Sequence, residues 1–272
     1  DIEAMPVGPR SIDELKQYIP LFSTEMEADK AEALLATQEA QWASPAYRSR
    51  QLALARTASG GATIAELQRA LAVNPGDPEL MGALGQAYSR NDQRALAITQ
   101  FERVLRHPDV TDKDKWASLL ATNRYWLLVN QGSQALAQQQ WEAAATRYRS
   151  AIALDGKEPE AWLGLGDSER GRRRDGEAEL AYQKAFAMPG ARDRALARLF
   201  DLYKGQDPAR ALALLDQHGT PAMQAEGKRL KAELLQEQAD QLDKAGKLPQ
   251  ALTQRQEALR LLPDDVWLGY RV

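Results

Sequence analysis

The chain has no cysteine among its 272 residues, which rules out disulfides and thiolate chemistry. Histidine is nearly as scarce. The two present, His107 and His218, stand beside Pro108 and Gly219 at expected inter-helix turns, where a solvated imidazole complements a helix dipole. No His, Cys or carboxylate cluster has metal-ligand spacing, and no glycine-rich stretch matches a phosphate loop. Catalytic, cofactor-binding and metal-binding residues are therefore not expected, and the chain reads as a non-enzyme. No apolar run approaches the roughly 18–20 residues that cross a bilayer, and the opening DIEAMPVGPR is not a signal peptide. With 35 basic and 38 acidic residues the formal charge is −3, so nothing global points to nucleic acid or an anionic membrane as partner. Sustained period-2 alternation is absent, so no strands are expected.

What the chain has instead is self-similarity. Leu128, Gly132, Ala144, Tyr148 and Ala151 recur 34 residues later, without a gap, as Trp162, Gly166, Ala178, Tyr182 and Ala185. Small residues at the crossing points and large apolar ones between them, at this period, resemble the tetratricopeptide repeat. The resemblance implies an all-α, right-handed superhelical solenoid of antiparallel helix pairs that works through its concave surface. The register gives units at 44–77, 78–111, 125–158, 159–192, 193–226 and 232–265. Residues 1–43 read as a divergent helical pair, 44–111 and 128–265 as repeat blocks, and 266–272 as the start of a further repeat. A natural array ends in a polar cap, so the apolar Val266, Trp267, Leu268 and Tyr270 suggest a piece of a longer array.

Helix starts are legible in the local sequence. Ser11 with Glu14, Thr24 with Glu27, Thr63 with Glu66 and Thr111 with Asp114 have capping-box spacing. Ser44-Pro45, Asp77-Pro78 and Glu158-Pro159 add three more, because proline suits a first helical turn. The repeat phase breaks once. Met81 and its equivalent Leu128 lie 47 residues apart, one repeat and 13 residues more. The extra stretch, with Trp116, Leu119, Leu120, Asn123 and Leu127 at helical spacing, lengthens a helix over 112–127 and suggests a hinge at Pro108, Thr111 and Asp112.

Groove-facing positions of the first helices are Glu79, Gln86, Trp126, Glu160 and Asp167. Of these, Trp126 is the one able to stack on a sugar face or a peptide side chain, unless the inserted helix covers it. Trp116 and Trp141 read as core. The run Arg170, Arg172, Arg173 and Arg174 is interleaved with acids and reads as a solvated turn.

Several phrases outside the repeat consensus carry a narrower likeness. MPVGPRSIDELKQYIPLFS, GALGQAYSRNDQRALAITQFERVL, DKWASLLATNRYWLLVNQGSQAL and LRLLPDDVWLGYRV resemble the periplasmic tetratricopeptide region of the outer-membrane cellulose export family, the export component of bacterial cellulose synthase. In that family a long repeat array leads into an outer-membrane β-barrel through which glucan leaves the cell. The resemblance implies a periplasmic scaffold that organises protein partners of the cellulose synthase complex, with weak glucan contact as an option and no cofactor. Two alternatives stay open: a direct glucan-binding module, and a generic peptide-binding co-chaperone module. Acids in the groove disfavour a carboxylate clamp, which needs Lys and Arg there.

Overall fold

The computed structural model describes residues 7–21 and 24–265, and every regular element among them is helical. A first hairpin joins α1 (Pro9–Tyr18) through a single 3-10 turn to α2 (Glu25–Ala43). Repeat pairs follow: α3 (Pro45–Ala58) with α4 (Ile64–Val73), and α5 (Pro78–Arg90) with α6 (Arg94–Arg106). The long α7 (Lys113–Ala137) then pairs with α8 (Trp141–Leu154), α9 (Pro159–Gly171) with α10 (Asp175–Phe186), and α11 (Arg192–Gln206) with α12 (Pro208–His218). A second long helix, α13 (Pro221–Lys244), pairs with α14 (Leu248–Leu261). The expected opening of a further repeat at 266–272 lies outside the described residues.

The chain divides into two compact units, residues 1–127 and 128–272, and the division falls inside α7. Unit 1 is built on Leu67, Leu80, Leu84, Phe101 and Val104, with Trp116 of α7 closing the cluster. Phe101 and Trp116 stack at 6.0 Å. Unit 2 has its main core around Tyr182, Leu196, Leu199, Phe200 and Leu215, all 3% exposed or less. Within each unit, helices pack chiefly on their sequence neighbours, as expected when each repeat buries its apolar face on the next.

Glycines set how closely these helices approach. A Cβ at Gly85 would lie 2.7 Å from the Phe101 ring, one at Gly166 2.3 Å from Tyr182, and one at Gly164 2.2 Å from Tyr148. Each large ring thus lies directly on the backbone of a neighbouring helix, which no side chain larger than hydrogen would permit without movement. Ala97, Ala144 and Ala178 are fully buried at the matching positions of the second helices.

Most of the expected caps form. The hydroxyl of Thr63 accepts from the Glu66 amide at 3.2 Å while Glu66 accepts from the Thr63 amide at 3.0 Å. Thr24, Ser44 and Asp77 also cap their helices, Asp77 accepting from both Glu79 and Leu80. Glu158 holds the N-cap position of α9, yet its side chain makes no cap bond and Pro159 alone sets that start. Two expectations fail. Helix α1 begins earlier, at Pro9 with Gly8 as N-cap, so Ser11 sits inside the first turn. There its hydroxyl bonds Gly8 and the buried Gln38 at 2.9 Å, because a helix-to-helix contact is available to a residue 1% exposed. At α7 the first backbone turn closes on the carbonyl of Asp112, whose φ is +53°, and the Thr111 carbonyl accepts the Trp116 indole N–H at 3.0 Å. Burying the Trp116 ring fixes this start, one residue later than Thr111 capping requires.

Candidate functional site

The first helices of the repeats present the groove-facing candidates, and most of them are already engaged by neighbouring repeats. Asp77 and Glu79, at the start of α5, both take Arg50 of α3, the Glu79 pair at 2.7 Å. Burial acts to lower the Arg50 pKa, but the two carboxylates outweigh it and raise the guanidinium above its usual value. Gln86 lies half-buried two turns further along α5.

In unit 2 the same geometry runs forward along the chain. Glu160 on α9 accepts from Arg194 on α11 at 2.9 Å. Asp167, seven residues further on, takes a bidentate pair from Arg198 at 2.8 and 3.0 Å and a third hydrogen bond from the Tyr182 hydroxyl at 2.8 Å. The Asp167 hydrogen bond raises the Arg198 pKa. Burial, then the Asp167 charge, holds the Tyr182 phenol well above its ordinary value, so it remains a hydrogen-bond donor. Asp167 is thereby committed to holding α9, α10 and α11 together.

Trp126 is half-buried on α7. Its ring meets Tyr125 edge-on at 5.3 Å, and the Arg94 guanidinium sits 5.9 Å from its centroid. Arg94 is steered there by Asp92 at 2.9 Å and by the buried Asn123 at 3.4 Å. One aromatic face is therefore occupied by a cation. Around the expected joint, Pro108 follows the C-cap of α6, while Thr111 and Asp112 carry the backbone contacts that open α7.

The arginine run is not wholly a solvated turn. Arg172, with a side chain 12% exposed, reaches Glu142 and the buried Glu169, whose side chain is 1% exposed and also takes Arg149. Arg170 donates to the carbonyl of Asp201 on α11 at 3.2 Å. Arg173, at φ +60°, makes the turn itself. Glu179 on α10 accepts from Tyr203 at 2.9 Å and Arg210 at 2.6 Å. Burial works to raise its pKa, yet these hydrogen bonds prevail and hold the carboxyl below its ordinary value. Sequence reading missed this ladder, although a signal was there. Residues 34 apart stand side by side on adjacent repeats, and residues 31 apart are one helical turn from that, which is where Glu160–Arg194, Asp167–Arg198 and Glu179–Arg210 fall.

His107 closes α6, with its Nδ1 accepting from the Asp109 amide at 3.2 Å. His218 ends α12 beside Phe186 and Arg192. Among the described residues no group of three or more His, Cys, Asp or Glu could hold a metal ion. No helix among them is long and apolar enough to cross a membrane.

Comparison with known proteins gives a narrower context. No family model matches the chain. Over its full length it is 37% identical to the cellulose synthase operon protein C of Escherichia coli K12 and of Salmonella typhimurium LT2. The chain is a relative of cellulose synthase operon protein C. It spans 24% of the length of those two relatives. A protein of the same name from Xanthomonas axonopodis is 29% identical over 71% of the chain. Among solved structures, the tetratricopeptide domain of P58(IPK) aligns over 96% of this chain and 74% of that one at 16% identity, with a TM-score of 0.40. The Pseudomonas aeruginosa PilF structure aligns over 83% and 95% at 17% identity, with a TM-score of 0.34. Among its described residues the segment that resembles cellulose synthase operon protein C is built of successive helix pairs, and Glu79, Glu160 and Asp167 on their first helices are tied to arginines of adjacent repeats.

Proposed function

We propose that this segment is a non-enzymatic periplasmic scaffold of a bacterial cellulose synthesis and export complex, organising protein partners on the path of the glucan toward an outer-membrane pore. The observation that carries this reading is the full-length similarity to cellulose synthase operon protein C. Mechanistically the repeats supply spacing and recognition. The inter-repeat ion pairs hold adjacent first helices in register, which keeps the remaining groove positions at fixed separations. Gln86 and the half-exposed Trp126 are the contact candidates in unit 1 that no carboxylate–arginine pair engages. A joint in the phase-broken stretch from Pro108 to Trp126 would let partners at one membrane be followed from the other. The compact units divide after residue 127, at the far end of that stretch, with Trp116 packed into the core of the first unit.

The rival in which this segment grips glucan directly has Trp126 as its support. One of that ring's faces already carries Arg94, and a neutral glucan offers the charged ladder little to pair with. A carboxylate-clamping role is disfavoured because the arginines of these first helices, Arg50, Arg194 and Arg198, are already paired with Glu79, Glu160 and Asp167 and are not left to hold a peptide carboxylate.

Site-specific photo-crosslinkers at Gln86 and Trp126, in cells making cellulose, test the scaffold. Crosslinks to proteins of the synthesis complex are expected, with cellohexaose titration giving no saturable signal below about millimolar concentration. Micromolar cellohexaose binding that is lost in Trp126→Ala would replace the scaffold with the glucan-binding reading.

A further inference from the structure

The second helices of four repeats share a fully buried alanine: Ala97 in α6, Ala144 in α8, Ala178 in α10 and Ala251 in α14. Two residues after it the chain meets solvent. In α6, α8 and α14 this position is an exposed threonine, Thr99, Thr146 and Thr253. Each hydroxyl donates to the carbonyl four residues back, that of Ala95, Glu142 or Pro249, at 3.1, 2.9 and 3.0 Å. In α10 the same position is Leu180, 64% exposed. A single exposed leucine says little by itself, but this one departs from a polar position kept in three other repeats, and its surroundings give it a use.

Leu180 borders an open groove of about 290 Å³ lined by Trp162 and Leu165 of α9 and by Ala181 of α10. Arg149 and Glu169, which also line it, are already paired with each other. Along α10 the leucine is bracketed by Glu177 and Lys184, both exposed and both on the groove. Among the described residues no ion pair or hydrogen bond engages either of these two charges. They stand seven residues apart, close to two helical turns or about 10.5 Å. Their midpoint falls between Leu180 and Ala181.

We infer that this face of α10 is an interface for a second copy of the same chain, the two α10 helices lying antiparallel about a two-fold axis that passes between Leu180 and Ala181. Glu177 of each copy then faces Lys184 of the other, and Leu180 of each lies over Ala181 of the other at the mouth of the groove, where a methyl side chain leaves room for it. Self-complementarity selects this occupant. A two-fold contact uses one patch twice, so each charge must meet its opposite at an equal distance across an apolar centre. Helix α10 satisfies that condition with its own residues. The corresponding stripes, Leu96, Thr99 and Arg103 in α6, Ala143, Thr146 and Ser150 in α8, and Gln250, Thr253 and Glu257 in α14, have neither the apolar centre nor the opposed charges. The contact lies within unit 2 and is independent of whether the chain scaffolds cellulose synthesis.

The test is sedimentation equilibrium of the chain as it stands. A monomer–dimer equilibrium is expected between about 10 μM and about 1 mM, because one helix pair buries less than the roughly 1,200 Å² of a stable interface. Leu180→Thr, which installs the residue of the other repeats, should abolish association while leaving helix content and melting temperature unchanged. Glu177→Lys and Lys184→Glu should each weaken it at least about tenfold, since the two-fold axis makes each repulsion occur twice. An equimolar mixture of these two variants should restore association to within about threefold of the parent chain, a result that misfolding cannot mimic and that requires position 177 to face position 184. A chain that stays monomeric up to about 1 mM, an association that Leu180→Thr and the charge reversals leave unmoved, or a mixture that associates no better than its components would overturn the inference.

Discussion

Replacing Gly164 with alanine puts one methyl group against a ring that has no room to retreat. Two effects oppose each other. In a helix interior, alanine is favoured over glycine by about 0.8–1.0 kcal/mol, so the substitution should stabilise α9 if nothing else changed. The new Cβ, however, would sit 2.2 Å from the Tyr148 ring, where carbon atoms need about 3.5 Å or more. Ring or helix must therefore move by more than about 1 Å. Tyr148 cannot supply that movement cheaply, since the ring lies on Gly132 of α7 on its other side and its hydroxyl is bonded to Ser133 at 3.0 Å. Overpacking of this kind costs roughly 1–3 kcal/mol, so after the propensity gain is subtracted the net loss reaches about 2 kcal/mol. For a chain of this size each 1 kcal/mol lost lowers the melting temperature by roughly 2–4 °C. Gly205→Ala is the control. It lies in α11 with nothing within 4 Å of the new methyl, so it should hold or raise the melting temperature. Thermal unfolding followed by circular dichroism at about 222 nm, where helix signal dominates, compares the two. A Gly164→Ala protein as stable as Gly205→Ala would refute the claim that ring-on-glycine contacts set the helix spacing.

Three further outcomes follow from the ladder and the joint. Tyr182→Phe removes the phenol from Asp167 but keeps the ring, and should cost about 1 kcal/mol in urea unfolding, whereas a loss near zero would mean that the Arg198 pair alone secures Asp167. The Glu179 carboxyl is held below its ordinary value of 4.5, so its contribution to stability is full above that pH and is lost as pH falls through the folded-state value. Arg210→Gln should shrink the stability difference between about pH 7 and about pH 3, and an unchanged difference would exclude the pair as a contributor. For the joint, small-angle scattering should require more than one arrangement of residues 44–107 and 128–192, and a fit by one fixed arrangement would make the inserted stretch a rigid spacer.

How much was legible in the sequence depended on the range of the interaction. Caps formed where the helix start was a local matter, at Thr24, Ser44, Thr63 and Asp77. They failed where a distant partner competed. Ser11 is drawn to Gln38 across the first hairpin, and burial of the Trp116 ring sets the start of α7. The small residues at crossing points were readable because a 34-residue period repeats the same steric demand. The identity of the ring each glycine receives was not. Gly164 takes Tyr148 from the preceding hairpin and Gly171 takes Trp141, contacts that depend on how one repeat sits on the next.

The groove acids illustrate the same limit with a functional consequence. Read one repeat at a time, Glu79, Glu160 and Asp167 are negative charges on a binding surface. Read across repeats, each has an arginine of an adjacent first helix within hydrogen-bond reach, so much of that charge is consumed internally. Such pairs are half-exposed and individually worth little in stability. Their larger effect is on register, because a bidentate Arg198–Asp167 contact fixes the angle between α9 and α11 more narrowly than apolar packing alone. Within each unit, an array stitched in this way holds its first helices at spacings set by the repeat itself. Selectivity for partners would then reside where the ladder leaves polar or aromatic surface uncommitted, as at Gln86 and Trp126 in the first unit, rather than at the acids already satisfied on α9.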